Sequence, residues 1–432
     1  MAMIQQLLFL AALGLTSFLL FRRVRRIRAN ILLGRAQTLT NQPAQRWRNV
    51  LLLALGQKKM FKKLLPAFLH LLIYGGFLLI NLEVLEIVLD GLLGTHRIFA
   101  PWLGTFYPYM ISFFEVLALG VLLACVVFLV RRTVWRVPRF AGEEMKAWPR
   151  LDANLILIIE AVLMLAILKM NAADQLLQGS HPHYIPTGSF LVSSALFVPF
   201  LEGMSEPILL LVERGCWWLH ILGIMAFAVY ITYSKHLHIF MAFPNAYFAR
   251  LEPVGKLATM PEVSAEVRNM LGLGGEPAAG PVATLGAKDV NDLSWKNLMD
   301  AYACTECGRC TQQCPAHLTG KKLSPRKIMM DTRDRLEEIG SKPAPASVES
   351  KNLFSYISKE ELNACTTCNA CVEACPVSID PLSIIVQMRR YVAMEESGAP
   401  QSWNAMFSNL ETSMAPWKFP SSDRFKWAEG AR

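Results

Sequence analysis

The sequence predicts an all-α protein in two parts, a bundle of five membrane-spanning helices followed by a smaller helical domain rich in cysteine. Two observations support this fold class. The 432 residues are 53% hydrophobic, and five stretches reach the length of about 20 apolar residues that crosses a bilayer. Eight of the ten cysteines lie in two near-identical runs after the last of these stretches.

The predicted membrane domain covers residues 1–250. Its spans are residues 3–21, 64–89, 110–130, 152–173 and 207–234. Arginine and lysine concentrate in residues 22–63 and 131–150, whereas the two other loops carry only Arg97 before Glu213. Because positively charged loops stay in the cytoplasm, we expect an inner-membrane protein with its N-terminus outside. The net charge of +9 belongs to these flanking residues, so nucleic acid is not an expected partner.

The remainder of the chain divides by composition. Residues 251–297 are rich in Gly, Pro and Ala and are predicted to be a linker. Residues 298–398 contain both cysteine runs and form the predicted cytoplasmic domain. Residues 399–432 form a tail with several aromatic residues, which we expect to dock a partner.

The two cysteine runs share one spacing, C-x2-C-x2-C-x3-C-P, which is the ferredoxin pattern for a pair of 4Fe–4S clusters. Three closely spaced thiolates wrap one cluster, and the fourth ligates the other. The first predicted site therefore contains Cys304, Cys307, Cys310 and Cys375. The second contains Cys365, Cys368, Cys371 and Cys314. The proline after each fourth cysteine suits a helix start.

Structural zinc and disulfide bonds are the alternatives for these cysteines. Zinc sites usually show two C-x2-C pairs rather than two four-cysteine runs that end in proline. Disulfides need an oxidising compartment, whereas the predicted topology places the runs in the cytoplasm. We expect Cys125 and Cys216, which lie in apolar stretches, to be small core residues.

Three histidines in the apolar stretches are candidate ligands of haem b. We expect His220 and His238 on one face of the fifth helix, because their 18-residue separation equals five turns. His70 in the second helix and His238 both lie near the cytoplasmic edge, so they are expected to clamp one haem between their imidazoles. The alternative for each is a hydrogen-bonded core histidine, and His220 has no matching histidine in the second helix.

Other polar residues carry weaker predictions. His236 is expected to face away from His220 and to bond near a headgroup or quinone, and His96 and His317 are expected at the surface. Glu83, Glu86 and Glu115 lie in or near apolar helices, where charges are costly and often functional. They either relay protons to a quinone or lie at the membrane interface. No catalytic residue is predicted.

The five helices resemble the γ subunit of respiratory nitrate reductase, a cytochrome b. The matching signatures are Phe68-Leu69-His70, Leu219-His220 and Leu237-His238-Ile239. This resemblance implies that His70 and His238 ligate the haem on the cytoplasmic side. It also implies a second helix-two histidine for an outer haem, where this sequence has Ile80. One haem is therefore expected, with two as the alternative.

Residues 300–395 resemble the two-cluster part of the heterodisulfide reductase large subunit. The combination with the helices resembles membrane iron–sulfur oxidoreductases that connect electron-transfer flavoprotein with quinone. In those families a domain with Cys-Cys-Gly motifs follows, and no Cys-Cys pair occurs in this sequence. The resemblance implies a separate Cys-rich subunit, reached through a connector at residues 409–427.

The predicted function is a membrane-bound, quinone-linked oxidoreductase subunit, active within a complex. Electrons would pass between a cytoplasmic donor, two 4Fe–4S clusters, haem b and the quinone pool. The alternatives are a quinol-dependent thiol–disulfide reductase module and a passive membrane scaffold for the clusters. The presence of haem separates the scaffold from the other two.

Overall fold

A computed structural model describes residues 2–253, 255–274, 284–341 and 351–431. The regular secondary structure of these residues is helical, without a β-strand, and one isolated bridge joins Arg35 and Ser294. Parts of the predicted linker (254 and 275–283) and residues 342–350 lie outside the described ranges. The prediction of an all-α chain is confirmed for the described residues.

Five helices in the described residues are long and apolar enough to cross a membrane. They are α1 Ala2–Ile31, α2 Leu64–Leu93, α3 Tyr107–Thr133, α4 Trp148–Leu177 and α5 Glu206–Ile231. Three of them, α3, α4 and α5, have proline as their second residue, where its missing N–H leaves no bond unmade. The helix α1 continues ten residues beyond its predicted end at residue 21.

The second part of the chain continues with α6 His238–Tyr247, α7 Pro261–Met270, α8 Trp295–Ala303, α9 Pro325–Ser341, α10 Pro381–Met394 and α11 Gln401–Ser413. Shorter α-helices are Pro43–Asn49, Ala100–Leu103, Leu191–Leu196, Val198–Leu201, Arg309–Gln312, Pro315–Leu318, Lys359–Ala364 and Ala370–Ala374. A π-helix covers Val50–Leu55, and 3-10 turns include Met60–Lys62, Lys235–Leu237, Val290–Asp292 and Ser421–Ala431. The predicted linker therefore contains a helix, α7.

Of four hydrophobic clusters among the described residues, the two largest organise the molecule. One lies between the membrane helices, around Ile80, Ile111 and Ile221. The other fills the cysteine domain and also includes Ala287, Val290 and Leu293, which the sequence pattern assigned to the linker. The packed cysteine domain thus begins before residue 298, because these apolar side chains insert between its helices.

The basic loops at one end of the bundle contact the cysteine domain. Lys62 donates to Glu373 at 2.8 Å, and Arg326 of α9 bonds both Glu144 at 2.7 Å and the carbonyl of Arg139 at 2.6 Å. The helix α1 reaches this domain as well, since Arg23 donates to Glu337 at 2.6 Å. The loops that the charge pattern assigned to the cytoplasm therefore share one end of the bundle with the cysteines.

The opposite end of the bundle is closed by a buried polar network around Arg97. Its guanidinium donates to Asn171 at 2.6 Å and lies 3.3 Å from Glu83 and 3.4 Å from Asp174. The imidazole of His96 is also buried and lies 2.7 Å from Asp174. The expectation that His96 lies at the surface is wrong, because Asp174 holds it inside.

The glutamates of the membrane helices bind backbone groups of the outer loops. Glu86 accepts from the N–H of Phe99 at 2.9 Å. Glu115 accepts from the N–H groups of Val192 and Ser193 at 2.8 and 3.0 Å, at the start of the short helix that begins at Leu191. Glu83, Glu86 and Glu115 are all buried, and their partners at this end of the bundle fasten the outer loops.

Candidate functional site

The two cysteine runs fold as structural repeats. Each follows a helix with a capping box, Ser294 with Asn297 before the first run and Ser358 with Glu361 before the second. In each case the helix ends at the first cysteine of the run, because a cysteine in extended conformation is the C-cap. The repeat therefore presents both sets of thiols from equivalent loops.

Equivalent backbone positions turn in each run. Glu306 and Thr367 have φ of 57° and 56°, and Gly308 and Asn369 have φ of 72° and 60°. This left-handed conformation is uncommon for residues other than glycine. In each run two such residues stand two positions apart, and they wind the chain around a small centre. Pro315 then begins a short helix, whereas Pro376 lies in a turn and the next long helix begins at Pro381.

The structure brings Cys314 to the second run. It lines a small cavity together with Cys365, Cys368 and Cys371, which are the four cysteines assigned to the second site. The cavity wall is completed by apolar side chains such as Leu382 and Ile385.

The thiols of the first site lie in one buried group. Burial raises the pKa of Cys310 well above its ordinary value, and the nearby thiols of Cys307, Cys304 and Cys375 raise it further. Burial likewise raises the pKa of Cys304 to about 12. Thiolates in such a site need cationic partners, which iron supplies. The donor set therefore fits a cluster whose irons compensate the negative charge.

Hydrogen bonds to sulfur are present at both predicted sites. The N–H of Thr367 donates to Cys365 Sγ at 3.4 Å, and the N–H of Ile379 donates to Cys375 Sγ at 3.3 Å. Such bonds tune the reduction potential of iron–sulfur clusters. All ten cysteines lie in the described ranges, and each is free. Among the residues that the structure describes, no three His, Cys, Asp or Glu side chains converge on a single metal ion.

His70 and His238 face each other where the bundle meets the cysteine domain. Their ring centres are 6.4 Å apart. Two metal–imidazole bonds of about 2 Å, with about 1.1 Å from each nitrogen to its ring centre, give a span of about 6 Å. The separation of the two rings therefore fits one iron between them.

The other nitrogen of each imidazole is already occupied. His70 Nδ1 lies 3.1 Å from Gln57 Oε1, and His238 Nδ1 lies 3.1 Å from the carbonyl oxygen of Lys235. Metal-binding histidines almost always hold such a partner on the nitrogen that does not bind metal. Both Nε2 atoms thus remain for a ligand. Burial lowers the pKa of His238, which favours the neutral imidazole that binds iron.

The chain reaches His238 by a different path from the predicted one. The helix α5 ends at Ile231, and His238 begins α6 after a turn. Asp152 stabilises this turn by accepting from Ser234 Oγ at 2.6 Å and from the N–H of Lys235 at 3.1 Å. The prediction that His220 and His238 share one helical face is therefore wrong, although His238 still approaches His70.

His220 lies apart from this pair. It is buried, and its Nδ1 lies 2.9 Å from the carbonyl oxygen of Leu163. Its Nε2 has no hydrogen-bond partner in the structure. Ile80, which stands where the resemblance implies a partner histidine, is also buried. Among the described residues, His220 therefore has no second imidazole beside it, in contrast to the His70–His238 pair beside the cysteine domain.

His236 contacts the edge of the His70–His238 site. Its ring centre is 5.4 Å from that of His238, and its Nε2 lies 3.3 Å from Glu160 Oε1. Burial lowers the pKa of His236 to about 3, and the nearby His238 and His70 rings contribute. The predicted surface residue His317 is exposed.

Sequence reasoning missed the residues that support these sites. Gln57 becomes the partner of His70 because it follows the π-helix Val50–Leu55 and itself has a φ of 49°, which together turn its side chain inward. Lys235 and Glu306 form a buried ion pair between the bundle and the first cysteine run. No local motif marks these three residues, although the position of Glu306 between two candidate ligand cysteines is a signal.

The fold and the cysteine sites together define a class, an iron–sulfur protein with a candidate membrane bundle. Residues 303–379 match the family model of a 4Fe-4S dicluster domain, which confirms the prediction for the two runs at the level of the domain. No solved structure matches the chain.

Two relatives match most of the chain. It is 27% identical, over 98% of its length, to the probable iron-sulfur-binding oxidoreductase FadF of Bacillus subtilis, and covers 61% of that protein. It is 26% identical, over 89% of its length, to the EtfAB:quinone oxidoreductase of Syntrophomonas wolfei, and covers 54% of it. The chain thus spans between half and two thirds of these relatives.

Other relatives match about a third of the chain. A probable membrane-anchored ferredoxin of Chromohalobacter salexigens is 31% identical over 34% of this chain, which covers 24% of that protein. One polypeptide of the dihydromethanophenazine:CoB–CoM heterodisulfide reductase of Methanosarcina acetivorans is 26% identical over 32% of this chain, which covers 35% of it. These relatives confirm the predicted class of iron–sulfur oxidoreductase.

Proposed function

We propose that this chain is a membrane-bound electron-transfer subunit between a cytoplasmic donor and the membrane quinone pool. Two 4Fe–4S clusters and one haem b supply one-electron redox chemistry at the sites described above. The observation that carries the proposal is the His70–His238 pair, whose ring centres are 6.4 Å apart beside the cysteine domain. A passive membrane scaffold for the clusters would not require two facing imidazoles.

The arrangement of the cysteine sites supports an order for the electrons. Glu306, between Cys304 and Cys307, pairs with Lys235, three residues before His238. We therefore assign the first site to the haem side. In the second site Cys368 is exposed, and we assign that site to the donor side.

The side chains around the haem site hold protons and orient ligands. Gln57 and the Lys235 carbonyl fix the two imidazole rings. Reduction of a quinone takes two protons as well as two electrons, and the His236–Glu160 pair is our candidate for their delivery on the cytoplasmic side. This assignment needs no outer haem at His220, and we propose one haem per chain.

The donor is proposed from the relatives. One of them is named EtfAB:quinone oxidoreductase, which supports electron-transfer flavoprotein as the soluble donor. Others are named as components of heterodisulfide reductases, which supports a separate Cys-rich iron–sulfur partner. The aromatic side chains of Trp403, Phe407, Trp417 and Phe419 in the tail are exposed and form its proposed docking surface.

The orientation is also a proposal. The basic loops of residues 22–63 and 131–150 lie at the end of the bundle that contacts the cysteine domain. The positive-inside rule then puts this domain in the cytoplasm and the N-terminus outside. Protease protection of a tag after Arg432, compared in right-side-out and inverted vesicles, tests this orientation.

The test of the proposed function is the ratio of haem to iron in the purified chain, with a reduced-minus-oxidised spectrum. We expect about eight irons from two clusters and one b-type haem. The variants His70→Ala and His238→Ala should each lose the haem and keep the iron, whereas the exposed control His317→Ala should keep both. A wild-type chain without b-type absorbance refutes the proposal, and two haems per chain refute the single-haem assignment.

A further inference from the structure

A buried ion pair lies where the membrane bundle meets the cysteine domain. The side chains of Lys235 and Glu306 are 8% and 3% exposed, and they contact each other directly. The ammonium of Lys235 also donates to the carbonyl oxygen of Pro149 at 2.6 Å. On the other side, Arg333 donates to Glu306 at 2.6 Å. Lys235 and Glu306 therefore each have a second partner on their own side of the junction.

Lys235 also contacts the candidate haem ligand. Its backbone carbonyl accepts the hydrogen bond of His238 Nδ1 at 3.1 Å, and its N–H donates to Asp152 at 3.1 Å. Glu306 stands between Cys304 and Cys307 with φ of 57°. A continuous bonded route thus runs from the first cysteine loop through Glu306 and Lys235 to the imidazole of His238.

We propose that Lys235 and Glu306 are a positioning pair that fixes His238 relative to the Cys304–Cys307 loop and forms the bonded route between them. The inference rests on the proposed function. With both groups bound, one electron would pass from a cluster held by the first cysteine site, which would be oxidised, to a haem held by His70 and His238, which would be reduced, and no covalent bond would form or break. Hydrogen-bond partners of this kind orient metal ligands and tune the metal.

The cost of burying the pair supports a positional role. Two charges in a buried site lose their hydration, and apolar residues of similar size often give equal or better stability. A buried ion pair can, however, specify one register between two surfaces. Here that register sets the distance between the first cysteine loop and His238.

The main test is Lys235→Met in the full chain, extracted from the membrane with its cofactors. Iron and haem contents are measured first and should equal the wild type. We expect altered EPR g-values for the oxidised haem, because the His238 ring loses its fixed orientation. After light-driven reduction of the clusters with deazaflavin, haem reduction should slow by about tenfold or more.

The matched control is Arg333→Met. Arg333 contacts the same carboxylate of Glu306 but lies in α9, on the cysteine side of the junction. We expect its haem spectrum and haem-reduction rate to stay within about twofold of the wild type. Glu306→Gln should reproduce the effect of Lys235→Met, and the double variant should be no slower than the slower single variant, because the pair acts as a unit.

Three results would overturn the inference. The first is a wild-type EPR spectrum and rate in Lys235→Met, and the second is an equal effect of Arg333→Met. If Lys235→Met does not assemble, Lys235→Arg and Glu306→Asp keep both charges and change the length of the bridge. Haem reduction should be slower in both of these charge-conserving variants than in the wild type. The third result that would overturn the inference is an unchanged rate of haem reduction in them. Absence of haem from the wild type refutes the proposed function instead.

Discussion

Replacement of Arg97 by methionine should destabilise the membrane bundle strongly. Arg97 is 4% exposed, and its guanidinium contacts Glu83, Asp174, Asn171 and the hydroxyl of Tyr107. Methionine fills similar space but leaves two buried carboxylates without their cation. Breaking a buried ion pair in this way costs about 3–5 kcal/mol. At about 2–4 °C per kcal/mol, the melting temperature should fall by about 10 °C.

Thermal unfolding of the detergent-purified protein, followed by tryptophan fluorescence, measures this effect. The control is Lys146→Met, since Lys146 is 68% exposed and pairs only at the surface with Glu143, where a pair is worth less than about 1 kcal/mol. The double variant Arg97→Met with Glu83→Gln should recover part of the loss, because one uncompensated carboxylate is removed. An Arg97→Met protein that melts within about 2 °C of the wild type contradicts the reasoning, as does a double variant that is less stable still.

Three further predictions address the cofactor sites. Gln57→Leu removes the acceptor of the His70 hydrogen bond, so the His70 imidazole would donate less charge to a bound haem. The midpoint potential of the haem, measured by redox titration, should then rise by about 20–60 mV. An unchanged potential refutes the role of Gln57. Gly286→Ala should lower the temperature at which the iron–sulfur absorbance is lost on heating. The φ of Gly286 is 85°, and an added Cβ would lie 2.3 Å from the backbone nitrogen of Tyr391. Gly255→Ala, with no atom within 4 Å, is its control, and equal melting of the two variants argues against strain. Cys314→Ser should lower the iron content from about eight toward four per chain, and an iron content that stays near eight would contradict a ligand role for Cys314.

The cysteine runs illustrate what the sequence predicts well. Ligands two or three residues apart lie in one loop, so their spacing alone specifies the chemistry and the dicluster domain. The membrane helices are predicted by length and hydropathy for a similar reason. Their ends are not, because α1 continues through Arg23 and Asn30 on the strength of contacts with the distant residues Glu337 and Tyr302.

The candidate haem site was predicted only in part. The approach of His70 and His238 was predicted from their depth, since both lie near the basic end of the bundle. Their connection was not, because helical periodicity cannot reveal that Asp152 stops α5 at a turn. Gln57 and Glu306 were missed because each acquires its role from a residue in another element, His70 at 13 residues and Lys235 at 71 residues in sequence. His96 was misplaced because a loop histidine gives no sign of its partner Asp174.

The path of α1 has a consequence for biogenesis. Arg23 donates to Glu337 at 3.0 and 2.6 Å, and Asn30 donates to the hydroxyl of Tyr302 at 2.8 Å. Arg23 therefore meets Glu337 only after the 314 positions that separate them in sequence have been synthesised. Until then, these polar side chains of α1 lack the groups that bind them in the cysteine domain, and a cysteine domain expressed alone would leave Glu337 and Tyr302 without these partners.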